Sequence, residues 1–338
     1  MSYGTETHTA ELKRLGYKYG IAAALLVLNS QFFVPILGAV LYAAASFMPN
    51  AAELADSTTD AGYVLFIVYN ELASYLLPLL VTGIMFAGEA KRERGVPTFA
   101  NAKGYKRFFG ESLILYITGW FAASCLGMIT SYVSELLNSL FSTPQVQTAF
   151  SSQLPMDTMM YVTFEVSTCI VAPVCEEMLY RRIMLMPLRK YGDLTAALVT
   201  ALLFGLSHFN FDQFLYAFAF GFFLAVIAIR SDSVIIPIVF HMINNIIAGI
   251  TVYLPETFGS ENVDAFFASL SSFLETFRAV MLFIAVPAII AVVLLKLLRL
   301  HNNSGIPVKK QLSAILLNPV FLLSVVIILA ITVILLWS

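Results

Sequence analysis

Nine apolar runs dominate the chain, at residues 20–48, 62–87, 112–137, 160–180, 194–209, 213–229, 233–254, 277–298 and 312–337. A bilayer crossing takes roughly 17–25 helical residues, so the runs predict an all-α, polytopic transmembrane helical bundle of about nine spans. Run 194–209 is short, as for a helix that ends at mid-depth, and run 20–48 is long and interrupted by Pro35, as for one that tilts or kinks. With 59% apolar and 12% charged residues the chain is excluded from the water-soluble enzymes. A net charge of −2 leaves no basic field for nucleic acid.

The basic residues test the span count independently, because cytoplasmic loops collect Lys and Arg. Lys13, Arg14 and Lys18 precede the first run, and six more, Lys91 to Arg107, lie between the second and third. Arg181, Arg182, Arg189 and Lys190 follow the core of the fourth, Arg230 follows the sixth, and Lys296, Arg299, Lys309 and Lys310 follow the eighth. This places 18 of 19 basic residues on one side, Arg278 being the exception. The other loops carry Glu53, Asp56, Asp60, Asp157, Glu256, Glu261 and Asp264. The expected topology has the N-terminus inside and the C-terminus outside, in the cell membrane. A cytoplasmic segment 1–19 would precede a single membrane domain over 20–338. A cleaved signal peptide is the competing reading, but the first apolar stretch is about twice the usual length for one. Val263, Phe266, Phe267, Leu270, Phe273, Leu274 and Phe277 recur at helical steps and predict an amphipathic helix lying flat in the outer interface. Cys125, Cys169 and Cys175 have no paired spacing and form neither a disulfide framework nor a zinc knuckle.

Ionisable groups inside a span are expensive and mark function by default. Here they concentrate in the fourth, fifth and seventh runs: Glu176, Glu177 and Arg181; His208; and His241, Asn244 and Asn245. At 1.5 Å per residue from the inner ends, Glu176, His208 and Asn245 lie about 20 Å deep and His241 about 14 Å, so three helices bring polar groups to one level. Glu177 and Arg181, four apart, pair on one face, whereas Glu176 points about 100° away and keeps its carboxylate for chemistry. Glu176 is thus the expected water-activating base and Glu177–Arg181 the structural pair. His241 and Asn245 share a face and can aim donors at a developing oxyanion. Asn244 could substitute for Asn245, and spacing does not choose between them. His208 is expected to hold or polarise the attacking water. Asn70, Glu71 and Glu165 are read as structural or access groups, Gly205, Gly221 and Ala225 as close-packing positions, and Phe218, Phe220, Phe222 and Phe223 as lipid-facing or core bulk.

Glu176-Glu177-Met-Leu-Tyr-Arg181, Phe204-Gly-Leu-Ser-His208 and His241-Met-Ile-Asn-Asn245 resemble, in order, the three motifs of the CPBP family of intramembrane proteases. These are also called ABI or type II CAAX prenyl endopeptidases. The resemblance spans residues 160–250 and marks this segment as the catalytic core. It implies peptide-bond hydrolysis within the membrane, with Glu176 and His208 similar to the family's water-activating pair and His241 and Asn245 similar to its oxyanion site. Eukaryotic members trim prenylated proteins after the modified cysteine, and bacterial members are linked to bacteriocin maturation and self-immunity. The implied partners are the lipid bilayer and a membrane-associated peptide or protein substrate.

The family is named as metalloproteases, and a zinc ion would draw on His208, His241 and Glu176. That would take His241 from the oxyanion role, and no His-Glu-x-x-His helix is present. The metal-free glutamate mechanism is the preferred expectation. Two other function classes compete. A non-catalytic membrane scaffold or immunity protein would tolerate loss of Glu176. A proton-coupled transporter would repeat its polar breaks in two halves, whereas here they cluster in the fourth to seventh runs.

Overall fold

A computed structural model describes residues 2–56, 59–92, 102–141, 158–253 and 265–337. Among them every regular element is helical, as expected where lipid leaves no solvent to satisfy an open backbone. The helices are α1 (His8–Ala45), α2 (Asp60–Glu89), α3 (Ala102–Phe141), α4 (Met159–Arg189), α5 (Asp193–Leu206), α6 (Phe211–Ser231), α7 (Ile235–Thr251) and α8 (Ala265–Leu294). The bent pair α9 (Val308–Leu316 and Pro319–Ile334) turns by 69°. By length and composition α1, α2, α3, α4, α6 and α8 can each cross a membrane, and α9 can if its two limbs form one span. Helices α5 and α7 are apolar but shorter. The chain is an integral multi-pass membrane protein.

Four of the widened turns sit beside prolines. Pro35, Pro78, Pro173 and Pro187 each follow closely on a π-helical turn, at Asn29–Phe33, Leu72–Leu76, Ser167–Val171 and Met178–Met184 respectively. A proline ring crowds the carbonyl one turn back and supplies no N–H, and a widened turn absorbs both faults without breaking the helix. Helix α1 therefore runs past Pro35 through a π turn, with no interruption.

The ends that the sequence marks as basic meet at one end of the bundle. Lys18 on α1 bonds Glu89 on α2 at 2.7 Å, and Arg230 at the end of α6 bonds Glu111 on α3 at 2.7 Å. Arg189, ending α4, reaches Asp193 at the start of α5 and Asp232 before α7, at 3.2 and 3.3 Å. Successive helices thus alternate in direction. Arg94, Asp157, Glu256, Glu261, Val263 and Asp264 lie outside the described residues. The flat amphipathic helix expected before the eighth span does not form as a separate element. From Ala265 the chain is one unbroken 30-residue helix to Leu294, since its apolar periodicity runs on into the span.

The two largest apolar clusters hold most of the bundle. One joins α1, α4, α5 and α9 through residues such as Tyr19, Leu185, Leu203 and Phe321. The other joins α3, α6, α7 and α8 through Trp120, Phe220, Phe240 and Ala285. Phe220 and Phe223 are buried there and Phe218 and Phe222 are partly exposed, so the aromatic run is divided between core and periphery. Helices α5 and α6 form a tight hairpin: a Cβ on Gly205 would come 2.9 Å from the Phe214 carbonyl oxygen, and one on Gly221 would come 2.7 Å from Phe204 Cδ1.

Candidate active site

Glu176 and Glu177 sit between the two π turns of α4 and diverge as their spacing predicts. Glu177 is wholly buried, and its Oε2 accepts from Arg181 Nε at 2.8 Å. Its Oε1 accepts from Arg181 Nη2 at 3.4 Å and from His241 Nδ1 at 3.1 Å. Arg181, also fully buried, lies 5.2 Å from the centre of the Phe204 ring, and Gly221 leaves the room that both need. Glu176 faces instead into a cavity of about 620 Å³ that is also lined by His208, His241, Asn244 and Asn245. Its Oε2 is 3.7 Å from His241 Nε2, close enough for attraction but too far for a hydrogen bond.

The two histidines are oriented by what their Nδ1 atoms meet. His208 follows the last turn of α5, where Nδ1 lies 2.8 Å from the Phe204 carbonyl oxygen. A carbonyl oxygen only accepts, so Nδ1 carries the hydrogen and the neutral ring presents Nε2 as an acceptor. The next residue, Phe209, has φ +48°, a conformation that costs a non-glycine residue about 1–2 kcal/mol. It permits the sharp turn to Asn210, whose side chain caps α6 by accepting from the Asp212 N–H at 2.9 Å. His241 likewise donates Nδ1–H to Glu177, and its ring is wedged edge-on between Phe204 and Phe220 at 5.7 and 5.6 Å. It can offer an Nε2–H to the cavity only in its doubly protonated form, for which Glu177 is the counter-ion.

Both candidate asparagines line the cavity, and their bonds differ. Tyr216 donates to Asn244 Oδ1 at 2.8 Å, Asn244 Nδ2 donates to Asn245 Oδ1 at 3.2 Å, and Asn245 Nδ2 donates to the Thr168 carbonyl at 2.8 Å. That carbonyl needs an outside donor for a reason legible in the chain. In the π turn Ala172 N–H bonds Ser167 O, and the next donor in this register would be residue 173, a proline. Asn245 thus ties α7 to the widened turn of α4 and keeps a second amide hydrogen. Tyr216 and Thr168 were not singled out from the sequence, and Phe204 and Phe220, read there as a motif residue and as bulk, were not expected to flank His241. A proline five residues after Thr168 was the available signal for one of them, and nothing in the spacing pointed to Tyr216.

Glu71 and Glu165 are partly buried and have partners of their own. Ser167 donates to Glu71 Oε1, Cys169 Sγ lies 3.0 Å from Glu165 Oε2, and Glu165 packs against Gly249. Neither lines the cavity. As for a metal, no three His, Cys, Asp or Glu side chains among the described residues are gathered closely enough to hold one. His208, His241 and Glu176 share the cavity without forming such a cluster, and the Nδ1 of each histidine is already committed.

Residues 158–247 match the family model described as type II CAAX prenyl endopeptidase, Rce1-like. The match covers α4 to α6 and α7 as far as Ile247, with Glu176, Glu177, Arg181, His208, His241, Asn244 and Asn245 inside it. No curated protein and no solved structure matches the chain.

Proposed function

We propose that the Rce1-like domain at residues 158–247 makes this chain an intramembrane endopeptidase that hydrolyses a peptide bond of a membrane-associated peptide or protein by metal-free glutamate chemistry. The observation that carries the reading is the division of two adjacent carboxylates. Glu177 is locked by Arg181 and His241, while Glu176 faces the cavity that it shares with His208 and His241.

In this mechanism a water is held between Glu176 and the acceptor Nε2 of His208. Glu176 removes one proton as the water oxygen bonds to the scissile carbonyl carbon. The carbonyl oxygen becomes an oxyanion, stabilised by Nε2–H of protonated His241 and by an amide hydrogen of Asn245 or Asn244. Collapse breaks the C–N bond, and Glu176 returns its proton to the departing amine. Glu177 positions His241 and is its counter-ion, and Arg181 holds Glu177 in place. No step of this mechanism is routed through a metal.

We place the basic end of the bundle on the cytoplasmic side, with the N-terminus inside, the C-terminus outside, and residues 20–338 as one domain. The prenyl-protein chemistry in the family description makes a peptide ending in S-farnesyl-Cys-Val-Ile-Met the first substrate to test. Purified protein in nanodiscs should cleave it, and Glu176→Gln should abolish cleavage while leaving the thermal midpoint in place. Equal cleavage by both proteins would overturn the assignment. Loss of cleavage with a chelator, restored by zinc, would replace the water-activation step.

A further inference from the structure

The oxyanion donors on α7 are partly spent before any substrate arrives. One amide hydrogen of Asn244 goes to Asn245 Oδ1 and one of Asn245 goes to the Thr168 carbonyl. An oxyanion formed at mid-depth in the membrane is stable only when several donors meet it. The wall opposite α7 therefore matters.

Helix α2 brings to that wall a donor that the mechanism above does not use. It contributes Ser74, Tyr75 and Pro78 to the cavity lining. The π turn Leu72–Leu76, which carries Tyr75, packs against Ala172–Glu177, the stretch of α4 that carries Glu176. Helix α7 packs against the same stretch. Tyr75 thus lies within electrostatic reach of Glu176, Glu71, Cys175 and Tyr180, and all of these except Glu71 line the cavity. The Ser74 hydroxyl is engaged with Asn70 at 3.4 Å. The Tyr75 phenol has no hydrogen-bond partner among the described residues, and it is not sealed off: Tyr75 is half-buried and part of the cavity lining.

The movement of charge suits this position. When water attacks, the Glu176 carboxylate takes a proton and loses its negative charge, which reappears on the former carbonyl oxygen of the substrate. A phenol is neutral at pH 7 and has one hydrogen to donate. Near Glu176 but not bonded to it, that hydrogen is free for the oxygen that bears the charge after attack. Its bond to a charged oxygen is stronger than its bond to the uncharged carbonyl, so the contact favours the transition state over the bound substrate.

We propose that Tyr75 is a catalytic residue whose phenol O–H donates to the oxyanion of the tetrahedral intermediate, alongside His241 Nε2–H. The proposal rests on the protease reading above and adds to it a donor from α2, outside the segment that matches the family model.

The test uses the S-farnesyl-Cys-Val-Ile-Met peptide and an analogue whose scissile amide is replaced by a phosphinate, a tetrahedral centre with a negative oxygen. Tyr75→Phe removes only the hydroxyl. It should lower kcat about ten- to a hundredfold, the order of one hydrogen bond to a charged group, with KM within about twofold and the thermal midpoint unchanged. Phosphinate binding should weaken by the same factor, while binding of the unmodified peptide to Glu176→Gln should not change when Tyr75→Phe is added. A kcat within about twofold of wild type, a loss carried by KM, or equal phosphinate affinity in both proteins would overturn the role. Should Tyr75→Phe not fold, Tyr75→Leu, also without a donor, serves the same comparison. Absence of turnover by wild type would count against the protease reading. The role of Tyr75 is then decided by phosphinate affinity alone: ten- to hundredfold weaker binding in Tyr75→Phe supports it, and equal affinity, or no binding to either protein, overturns it.

Discussion

The basic end of the bundle and the mid-depth cavity handle polar groups in opposite ways. At the basic end charges are paired across helix ends and partly exposed, as in Lys18–Glu89 and Arg230–Glu111. In the cavity the same kinds of group are divided. Glu177, Arg181 and the chain from Tyr216 to Thr168 are tied down, whereas Glu176 and the outward nitrogens of the histidines face open space. The first arrangement orients helices. The second holds reactive groups in place by tying down their neighbours, which is what pre-organised catalysis requires.

The comparison predicts very different sensitivities. The largest effect belongs to the face that opens on the cavity. Glu176→Gln should lower turnover by about a hundred- to ten-thousandfold with a shift in unfolding free energy too small to resolve. A parallel loss of stability would mean that Glu176 is a structural group after all.

Behind it, Arg181→Met leaves Glu177 buried with only His241 to balance it. It should cost about 3–5 kcal/mol in a reversible unfolding assay. The double variant Arg181→Met with Glu177→Gln should recover part of that loss but not the turnover, because His241 then lacks its counter-ion.

Gly221→Ala tests the sealed side by volume alone. Its Cβ would come 2.7 Å from Phe204 Cδ1, and the overpacking should cost about 1–3 kcal/mol. Pro173→Ala is subtler. It supplies an N–H that can reach the Thr168 carbonyl, so it competes with Asn245 and should cut turnover several-fold at unchanged or slightly raised thermal stability. Unchanged turnover would show that the Asn245 anchor is dispensable for the site. At the basic end, Arg230→Ala should cost under about 1 kcal/mol, since partly exposed ion pairs are worth little. A cost well above that would erase the contrast between the two regions.

How much of this was legible beforehand varies residue by residue. The adjacent glutamates separate as helical spacing requires, because four-residue and one-residue offsets fix direction around any helix, widened turn or not. The depth match of α4, α5 and α7 follows from counting residues between charged ends. Tyr75 could not be read this way: one tyrosine in an apolar run looks the same whether it faces a neighbouring helix or a cavity. The fate of the asparagine pair was likewise unreadable, since adjacent residues both project near the same face and only the position of Tyr216 and the orphaned Thr168 carbonyl assign their bonds.

The amino-acid sequence by itself determined that the chain crosses a membrane as helices, which of its ends are basic, and which three helices carry chemistry-bearing side chains. Apolar length, charge placement and helical period are local properties that no packing partner can alter. The tertiary structure alone decided which carboxylate faces the cavity and which is locked, which nitrogen of each histidine faces inward, and that α1 closes one side of the cavity. Each of these depends on what lies across the gap from another helix, and the order of residues along one chain does not encode that distance.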